Sequence, residues 1–478
     1  MLEARPDWCI SRQRAWGLPI PAFFNPEGQP LLTEETVRAV ARAVRRNGSN
    51  FWFEASPGQL LADYDASADA EAPTWVKAAG FDLDSLTKGN DIFDVWFESG
   101  SSWNGVLRER KIGFPADLYL EGSDQHRGWF QLSLLPGLGV TGQSPFKTVL
   151  THGFMVDAEG RKMSKSGGNA VKVEDVLKIH GADICRWWVS TLNYTNDIKV
   201  DLEFFKVASD EYRKVRNTIR FLLGNLNNFD PEKDRVELGP EDRFSVDAWA
   251  LQRLGHFIKQ VDNGYASFNF KRVAEVIFDF CNDSMSAVYL AAVKDRLYCD
   301  ALDSRRRRRT QTVLYEIAHS LIRAVAPILV HTAEEAWLAL TGELMESERS
   351  VHLCRLPEGD AFEADSGWER VMSFRQSVLK VLEDAKQKEN PIKNPLDAGI
   401  TAVVKPATLE KLAPYREELA DLCGVSRLDL VSGETVSFEV QDLRDEPKCE
   451  RSWKRDGTVQ TRSDGGLLSD RDAAVVGV

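Results

Sequence analysis

Two lysines, two serines and a pair of glycines are concentrated in residues 160–169, GRKMSKSGGN. Lys162 and Lys165 supply compact, mobile positive charge, Ser164 and Ser166 supply hydroxyl donors, and the glycines keep the backbone mobile. Such a loop suits a polyphosphate, because its charges can stabilise the negative charge that develops on a leaving group in the transition state. A solvated surface turn has the same composition, and composition alone does not decide between the two.

A second polar cluster lies at residues 119–130, YLEGSDQHRGWF, between a strand-like and a helix-like segment. Ligands of open α/β sheets bind at the carboxyl ends of parallel strands, where such a turn would lie. Glu121 and Asp124 could accept hydrogen bonds from an ammonium group or ribose hydroxyls, and Gln125 could bind a carbonyl. The alternative is structural: Asp124 or the serine before it caps the next helix, and Trp129 belongs to the core.

Two further patterns carry no chemistry. Residues 137–142 match G-x-G-x-x-G, but they follow a helical run and Pro136 rather than a strand, so the dinucleotide-binding context is missing. His126 has a side chain suited to acid–base catalysis, but a lone histidine beside an arginine is more often structural, and we assign it no role.

Basic residues form two groups. Arg213, Arg216 and Arg220 share one helical face and follow closely after the lysine-rich loop, which makes them candidates for RNA phosphates. Arg305–Arg309 are five consecutive arginines, for which we expect a solvated helix end, the usual place of a charge run.

The chain that positions these residues is 478 residues long, and 43% of them are hydrophobic. This length and apolar content are enough for about three domains. Its net charge of −13 excludes a uniformly basic nucleic-acid coat. No apolar run approaches the roughly 20 residues of a membrane span, so no membrane association is expected. The seven scattered cysteines are typical of a reducing compartment, and the first thirty residues contain no secretory signal, so we expect a cytoplasmic protein.

Hydrophobic periodicity predicts an α/β region followed by helices. Residues 91–206 alternate short apolar strands with helices, which predicts the α/β region, and residues 54–80 are expected to be an exposed insertion. Residues 207–355 repeat long amphipathic helices that predict a bundle. Residues 366–440 predict a small α/β appendix, and residues 441–478 a weakly ordered tail.

Taken together, the two loops resemble those of class I aminoacyl-tRNA synthetases, and among these the isoleucine-specific family. The resemblance covers nearly the whole chain and fades after about residue 440. Further matching segments are RPDWCISRQRAWG at 5–17, DVWFESG at 94–100, LTHGF at 150–154, GAD at 181–183, RWW at 186–188, KDR at 294–296 and APIL at 326–329.

The resemblance implies an isoleucine--tRNA ligase that activates isoleucine with ATP, with Mg²⁺ expected on the phosphates, and transfers it to tRNA(Ile). It implies that residues 1–206 are a partial Rossmann-like catalytic region with an exposed sheet edge, and that residues 207–355 are a helical anticodon-binding domain. The implied catalytic residues are Lys162 and Lys165, with Ser164 and Ser166 also on ATP. The implied aminoacyl-adenylate contacts are Glu121, Gly122, Asp124, Gln125, Trp129 and Trp96.

The chain also departs from that family. It contains neither the H-x-G-H motif nor the editing insertion that precede this region in the family. It is therefore expected to be inactive or incomplete alone, either working with a separate N-terminal half or serving as a catalytically silent tRNA-binding fragment. Many bacterial members end in a four-cysteine zinc knuckle; here Cys449 remains, Ser452 replaces a second cysteine, and residues 469–472 have lost both others. One thiolate cannot hold a structural zinc ion, so we predict no metal.

Overall fold

A computed structural model describes residues 3–157, 159–161, 163, 172–343, 349–359 and 362–478. The chain divides into one unit of Met1–Phe154 with Tyr194–Asp197 and a second of Met155–Asn193 with Ile198–Val478. None of the helices in the described ranges is both long enough and apolar enough to cross a bilayer.

The first unit is built from short strands and helices around a parallel strand pair. Strands β6 and β7 pair in parallel, with Leu118 beside Thr148 and Leu120 beside Leu150, as the apolar runs predict. Within the described residues β6 and β7 form a two-stranded sheet, so each has an outer edge with no further strand paired to it, in line with the expected exposed edge. The strands of this unit are β1 Ser11–Arg12, β2 Phe23–Phe24, β3 Pro30–Leu31, β4 Thr87–Lys88, β5 Ile92–Phe93, β6 Ala116–Gly122 and β7 Phe146–His152.

The helices of the first unit surround these strands. They are α1 Glu34–Asn47, α2 Phe51–Glu54, α3 Pro57–Leu60, α4 Val95–Gly100, a π-helix Trp103–Arg108, 3₁₀ turns Leu83–Ser85 and Ser123–Arg127, and α5 Trp129–Thr141. Residues 137–141 of the G-x-G-x-x-G match lie in α5, and Gly142 ends it in the left-handed conformation, so no phosphate-binding turn forms there.

The segment 54–80 is not the exposed insertion that its acidic composition predicts. Leu60, Leu61 and Val76 are buried and pack with Phe23 and Trp52 in a small core of their own. Most acidic residues of the segment are exposed, but Asp69 is buried and accepts from Thr33 Oγ1 at 2.7 Å and from the Tyr64 hydroxyl at 3.0 Å. These bonds and a few buried apolar side chains anchor the segment.

The second unit is mainly helical, and its helices share one continuous core. They are α6 Val173–His180, α7 Ala182–Ser190, α8 Leu202–Gly224, α9 Val246–Ala266, α10 Phe270–Asp279, a π-helix Phe280–Tyr289, α11 Leu290–Ala292, α12 Lys294–Cys299, α13 Arg305–Val325, α14 Val330–Thr341, α15 Trp368–Lys386, α16 Pro406–Leu412, α17 Arg416–Cys423 and α18 Asp470–Val476. Shorter 3₁₀ turns are Pro240–Phe244, Val351–Leu353, Pro395–Asp397 and Ala413–Tyr415.

Strands of the second unit form the predicted small α/β appendix and two minor ladders, β8 with β9 and β13 with β14. Central β10 pairs in parallel with β11 and antiparallel with β12, and helix α15 packs on this sheet. The strands are β8 Met155–Val156, β9 Ile198–Lys199, β10 Ala398–Val404, β11 Arg427–Ser432, β12 Ser437–Asp442, β13 Gln460–Thr461 and β14 Leu467–Leu468.

The boundary between the units differs from the one expected at residue 206. Trp187, Trp188 and Phe205 are buried in the core of the helical unit, together with Val176 and Val200. Because these apolar side chains pack with the bundle, residues 155–193 and 198–206 belong to the second unit.

The tail is folded, whereas its polar composition predicts weak order. Strands β13 and β14 pair, and Cys449, Val459, Leu468 and Ala473 form a small buried cluster. Few apolar residues are needed because polar side chains tie this segment to the rest of the unit, for example Lys454 Nζ to Asp421 Oδ1 of α17 at 2.6 Å.

The five consecutive arginines do not form a solvated helix end. They begin α13, where positive charge opposes the helix dipole, and acidic partners compensate for it. Arg309 Nε bonds Asp247 Oδ2 at 2.8 Å, and Arg306 Nε bonds Asp300 Oδ2 at 2.7 Å. Arg305, Arg307 and Arg308 also donate hydrogen bonds within the fold. These arginines are therefore structural.

Arg296 lies at the centre of these buried charges. Its side chain is 0% exposed, and its guanidinium contacts Glu418 at 2.6 Å and both Asp247 and Asp421 at 3.5 Å. It thus joins α12 to α9 and α17 through charge-assisted bonds in a low-dielectric interior.

We predict that Arg296→Met lowers the free energy of unfolding by about 3–5 kcal/mol, because buried carboxylates lose a partner while the apolar stem is kept. Urea unfolding of the full chain, followed by circular dichroism, measures this. Lys233→Met is the control, since Lys233 pairs with Asp230 on the surface and should change stability by less than about 1 kcal/mol. Equal midpoints for the two variants would contradict the structural role of Arg296.

Candidate functional site

The candidate site begins where strands β6 and β7 end side by side. Their parallel register places Glu121 beside Thr151 and Gly122 beside His152. The chain then makes the 3₁₀ turn Ser123–Arg127 and enters α5. This is the carboxyl end of a parallel pair, the place where open α/β sheets bind ligands.

The carboxylates of Glu121 and Asp124 are exposed at this end. Glu121 Oε2 accepts from the Gly122 amide at 3.3 Å, and Asp124 Oδ2 accepts from Gln125 Nε2 at 3.4 Å. Both contacts are long, so both groups remain available to accept stronger hydrogen bonds from a ligand.

Gly122 leaves room for a neighbouring carboxylate in this turn. A Cβ at this buried position would lie 2.8 Å from Asp124 Oδ1 and 3.5 Å from Cε1 of Phe154. A side chain here would therefore displace the Asp124 carboxylate. Gly122 contributes by its small size, which lets the acidic group lie close to the strand end.

Neither Asp124 nor the serine before it caps helix α5: its N-cap position is Gly128, and Gln125 binds the first amide of the helix. Gln125 Oε1 accepts from the Trp129 amide at 2.9 Å, because the 3₁₀ turn leaves the earlier residues a full turn from the start of the helix. His126 is likewise structural: its Nε2 lies 3.0 Å from Thr151 Oγ1, and its carbonyl accepts from Gln131 Nε2 at 2.6 Å.

Trp96 and Trp129 lie close together beside the turn. Trp129 stacks on Tyr119, with ring centroids 4.1 Å apart, and its Nε1 donates to the Ser99 carbonyl at 2.9 Å. Trp96 is 44% exposed, and its ring edge is 3.6 Å from where a Cβ of Gly128 would be. The two indoles thus provide an apolar surface next to the acidic turn.

Asp94 fixes the helix that carries Trp96, a role that the residue pattern alone does not reveal. Its carboxylate accepts from the Trp96 amide at 3.3 Å, from Arg12 Nη2 at 2.6 Å and from Trp8 Nε1 at 3.0 Å. Arg5 reaches the next helix, donating to Gln131 Oε1 at 2.7 Å. Side chains of the segment 5–17 therefore help to fix helices α4 and α5, which carry the two indoles.

The phosphate-binding candidates Lys162, Ser164, Lys165 and Ser166 lie outside the described residues, and their roles remain predictions. The turn that leads to them is described: Gly160 has φ +83°, and Arg161 bonds Asp157 through its amide at 2.8 Å and its Nε at 2.9 Å.

The basic face of α8 lies on the second unit. Arg213, Arg216 and Arg220 are exposed, and Arg213 pairs with Asp210 at 2.9 Å. Arg216 and Arg220 line a cavity of about 560 Å³ between α8 and α14, with Glu335 on its other wall. The structure thus brings two of the three predicted arginines to one concave surface.

Comparison with known families agrees with this arrangement. Residues 1–201 match the tRNA synthetases class I (I, L, M and V), and residues 247–400 match the anticodon-binding domain of tRNA ligase. The chain belongs to the class I aminoacyl-tRNA synthetases, which confirms the resemblance drawn from the sequence motifs and the predicted order of an α/β region before a helical domain.

Within that class the chain is similar to isoleucine--tRNA ligases. It is 40% identical to that of Brevibacillus brevis, covering 100% of this chain and 51% of the relative. It is 41% identical to that of Geobacillus thermodenitrificans over 95% of this chain and 49% of the relative, and 40% identical to that of Moorella thermoacetica over 100% and 52%. The chain spans about half the length of the curated relatives it matches.

Helices α4 and α5 meet at Gly100, where a Cβ would lie 2.0 Å from the Leu132 carbonyl oxygen. We predict that Gly100→Ala destabilises the first unit by about 2–3 kcal/mol, because backbone must move to relieve the overlap. Thermal unfolding of the full chain measures the loss. Gly105→Ala is the matched control: nothing lies within 4 Å of its Cβ position, so stability should stay equal or rise by about 0.4–1 kcal/mol. A neutral Gly100→Ala variant would refute the close helix contact.

Proposed function

We propose that this chain supplies the C-terminal part of an isoleucine--tRNA ligase. The observation that carries the proposal is the turn from Glu121 to Trp129 at the end of a parallel strand pair, which holds exposed carboxylates and one indole and has Trp96 of α4 beside it. The same chain carries the lysine-rich loop and an anticodon-binding domain, and it is about 40% identical to isoleucine--tRNA ligases.

In the proposed reaction the isoleucine carboxylate attacks the α-phosphate of ATP in line, giving isoleucyl-adenylate and pyrophosphate. A ribose hydroxyl at the end of tRNA(Ile) then attacks the acyl carbon and releases AMP. Neither step needs a nucleophilic side chain, so the protein acts by positioning the reactants and stabilising charge.

Two sets of residues would divide this work. Lys162 and Lys165, with Ser164 and Ser166, would bind the ATP phosphates and stabilise the departing pyrophosphate. Glu121, Asp124 and Gln125 would bind the polar groups of the adenylate, and Gly122 would allow it to approach the strand end closely. Mg²⁺ would arrive with ATP, since it binds phosphate oxygens and water in preference to protein cages.

Trp96 and Trp129 are the proposed wall for the isoleucine side chain. The ring of Trp129 is held by Tyr119 and Ser99, and Asp94 fixes the helix that carries Trp96. A preformed apolar wall favours binding of a branched aliphatic side chain, because no entropy is lost in ordering the wall when the substrate binds.

Since the chain matches about half of its relatives, we propose that catalysis needs the other half of the enzyme, supplied as a separate polypeptide or by fusion. The alternative is a catalytically silent tRNA-binding fragment. Aminoacylation of tRNA(Ile), measured with and without an added N-terminal half of a relative, separates the two. Activity only in the mixture supports the ligase, and tRNA binding without activity in either supports the fragment.

In that reconstituted enzyme, Lys165→Ala should slow ATP–pyrophosphate exchange at least about 100-fold, because charge on the leaving group loses its stabiliser. Isoleucine binding, measured by calorimetry, should be little changed. Lys178→Ala on exposed helix α6 is the control and should leave exchange unaltered. Unchanged exchange in Lys165→Ala would reject the phosphate-binding role of the loop.

The basic face of α8 is proposed to bind tRNA phosphates. Replacing both Arg216 and Arg220 by Gln should weaken tRNA(Ile) binding and reduce the slope of log Kd against log salt by about 1–2, one phosphate contact per lost cation. Fluorescence anisotropy at several salt concentrations measures both quantities. The control pair Arg42→Gln and Arg46→Gln on α1 removes the same charge from an exposed helix that pairs with Asp63. Equal slopes for the two variants would exclude this surface.

A further inference from the structure

Four side chains in the tail are arranged as two pairs, each spaced as C-x-x-C would be. They are Cys449 with Ser452, and Ser469 with Asp472. Cys449, Ser469 and Asp472 are each 0% exposed, and Cys449 Sγ donates to Asp472 Oδ2 at 3.0 Å. The two pairs therefore converge on one buried point, although they are 20 residues apart in sequence from first member to first member.

The local backbone around each pair is tightly folded. The amide of Trp453 donates to the Cys449 carbonyl at 2.9 Å, and the Cys449 amide donates to the Lys454 carbonyl at 2.9 Å. Ser469 caps helix α18 by accepting from the Asp472 amide at 3.2 Å. Each pair is thus held in place by its own turn.

These four residues do not fit zinc, the metal that the family resemblance implies at this position. A structural zinc site needs four ligands, mostly thiolates and imidazoles, whereas this set offers one thiol, two hydroxyls and one carboxylate. The thiol donates a hydrogen bond to Asp472. Across the described ranges no group of three or more His, Cys, Asp or Glu is placed to hold a metal ion.

Arginine charge compensates the buried carboxylate. Arg471 Nη2 lies 3.0 Å from Asp472 Oδ1, and Arg451 Nε lies 3.9 Å from the same oxygen. Burial alone would raise the pKa of Asp472, but the Cys449 thiol, the Ser452 hydroxyl and then the Arg471 charge outweigh it and lower that pKa. Asp472 therefore stays ionised and keeps accepting from the thiol.

The same cations fasten the tail to the bundle. Arg471 Nη2 donates to Asp295 Oδ1 at 3.1 Å, and Lys454 Nζ lies 3.3 Å from Asp295 and 2.6 Å from Asp421. Burial opposes ionisation of Asp295, yet Arg471 and Lys454 lower its pKa to about 2. The tail is thus joined to α12 and α17 by buried ion pairs.

We propose that Cys449, Ser452, Ser469 and Asp472 form a metal-free counterpart of a four-ligand zinc knuckle, in which a thiol–carboxylate hydrogen bond and the Arg471 ion pairs cross-link the tail. The folded tail then needs no metal ion. The proposal concerns this segment alone and does not depend on the proposed ligase activity.

The first test uses the full chain produced with zinc in the medium. Elemental analysis should find no stoichiometric zinc, and Tm should be the same with and without 1,10-phenanthroline. One equivalent of zinc per chain, or a Tm that falls on chelation, would overturn the proposal.

The second test rebuilds the ligand set. Ser452→Cys, Ser469→Cys and Asp472→Cys combined should bind one zinc per chain and gain a chelator-sensitive Tm, and adding Cys449→Ser to that variant should weaken zinc binding at least 100-fold. A folded triple variant that binds no zinc would show that the four positions do not converge.

A milder variant keeps the proposal testable if the triple variant does not fold. Asp472→Asn retains the shape and the acceptor oxygen but removes the charge, so Tm should fall by several degrees. The exposed Asp445→Asn in the same segment should leave Tm unchanged. Equal Tm values for these two variants would contradict the role of the carboxylate.

Discussion

Buried ion pairs around Arg296 are the constraint on which the helical unit depends. Arg296 contacts carboxylates from α9 and α17. Two further ion pairs reach the tail: Asp421 of α17 pairs with Lys454, and Asp295 of α12 pairs with Arg471. Removing charges from water is costly, so a buried network is tolerated only when nearly every charge has a partner. Three segments far apart in sequence are thereby fixed in one arrangement, and loss of one member leaves several carboxylates uncompensated.

The candidate site is held together differently. Its elements pack closely at glycine residues, whereas the helical unit is held by buried ion pairs. Gly122 lets the Asp124 carboxylate lie against the strand end, and Gly100 lets α4 meet α5. Asp94 then caps the helix that carries Trp96. Exposed acidic groups and half-buried indoles are held by elements that are themselves well packed, which is the combination a positioning enzyme needs.

Sequence patterns predicted much of this structure but misjudged the charged segments. The strands at Leu118–Leu120 and Thr148–Leu150, the bundle helices and the small α/β appendix follow from apolar periodicity and are as expected. The five arginines of α13, the acidic loop 54–80 and the polar tail were each expected to be solvated or weakly ordered. All three are anchored in the fold: the arginines and the tail by ion pairs and hydrogen bonds, and segment 54–80 mainly by buried apolar side chains. Composition counts residues without showing the contacts they make.

The sequence by itself determined the class of protein, since the motif residues must retain their identity to do their chemistry, and it determined the order of the α/β and helical regions, since periodicity is a local property. Only the tertiary structure decided which residues support the site and which hold the tail. Gln125, and not the candidate Asp124, accepts from the first amide of α5. Asp94 accepts from the Trp96 amide, and Asp472 accepts from the Cys449 thiol. Each of these roles is a matter of distances of about 3 Å between side chains, which depend on packing across the whole unit.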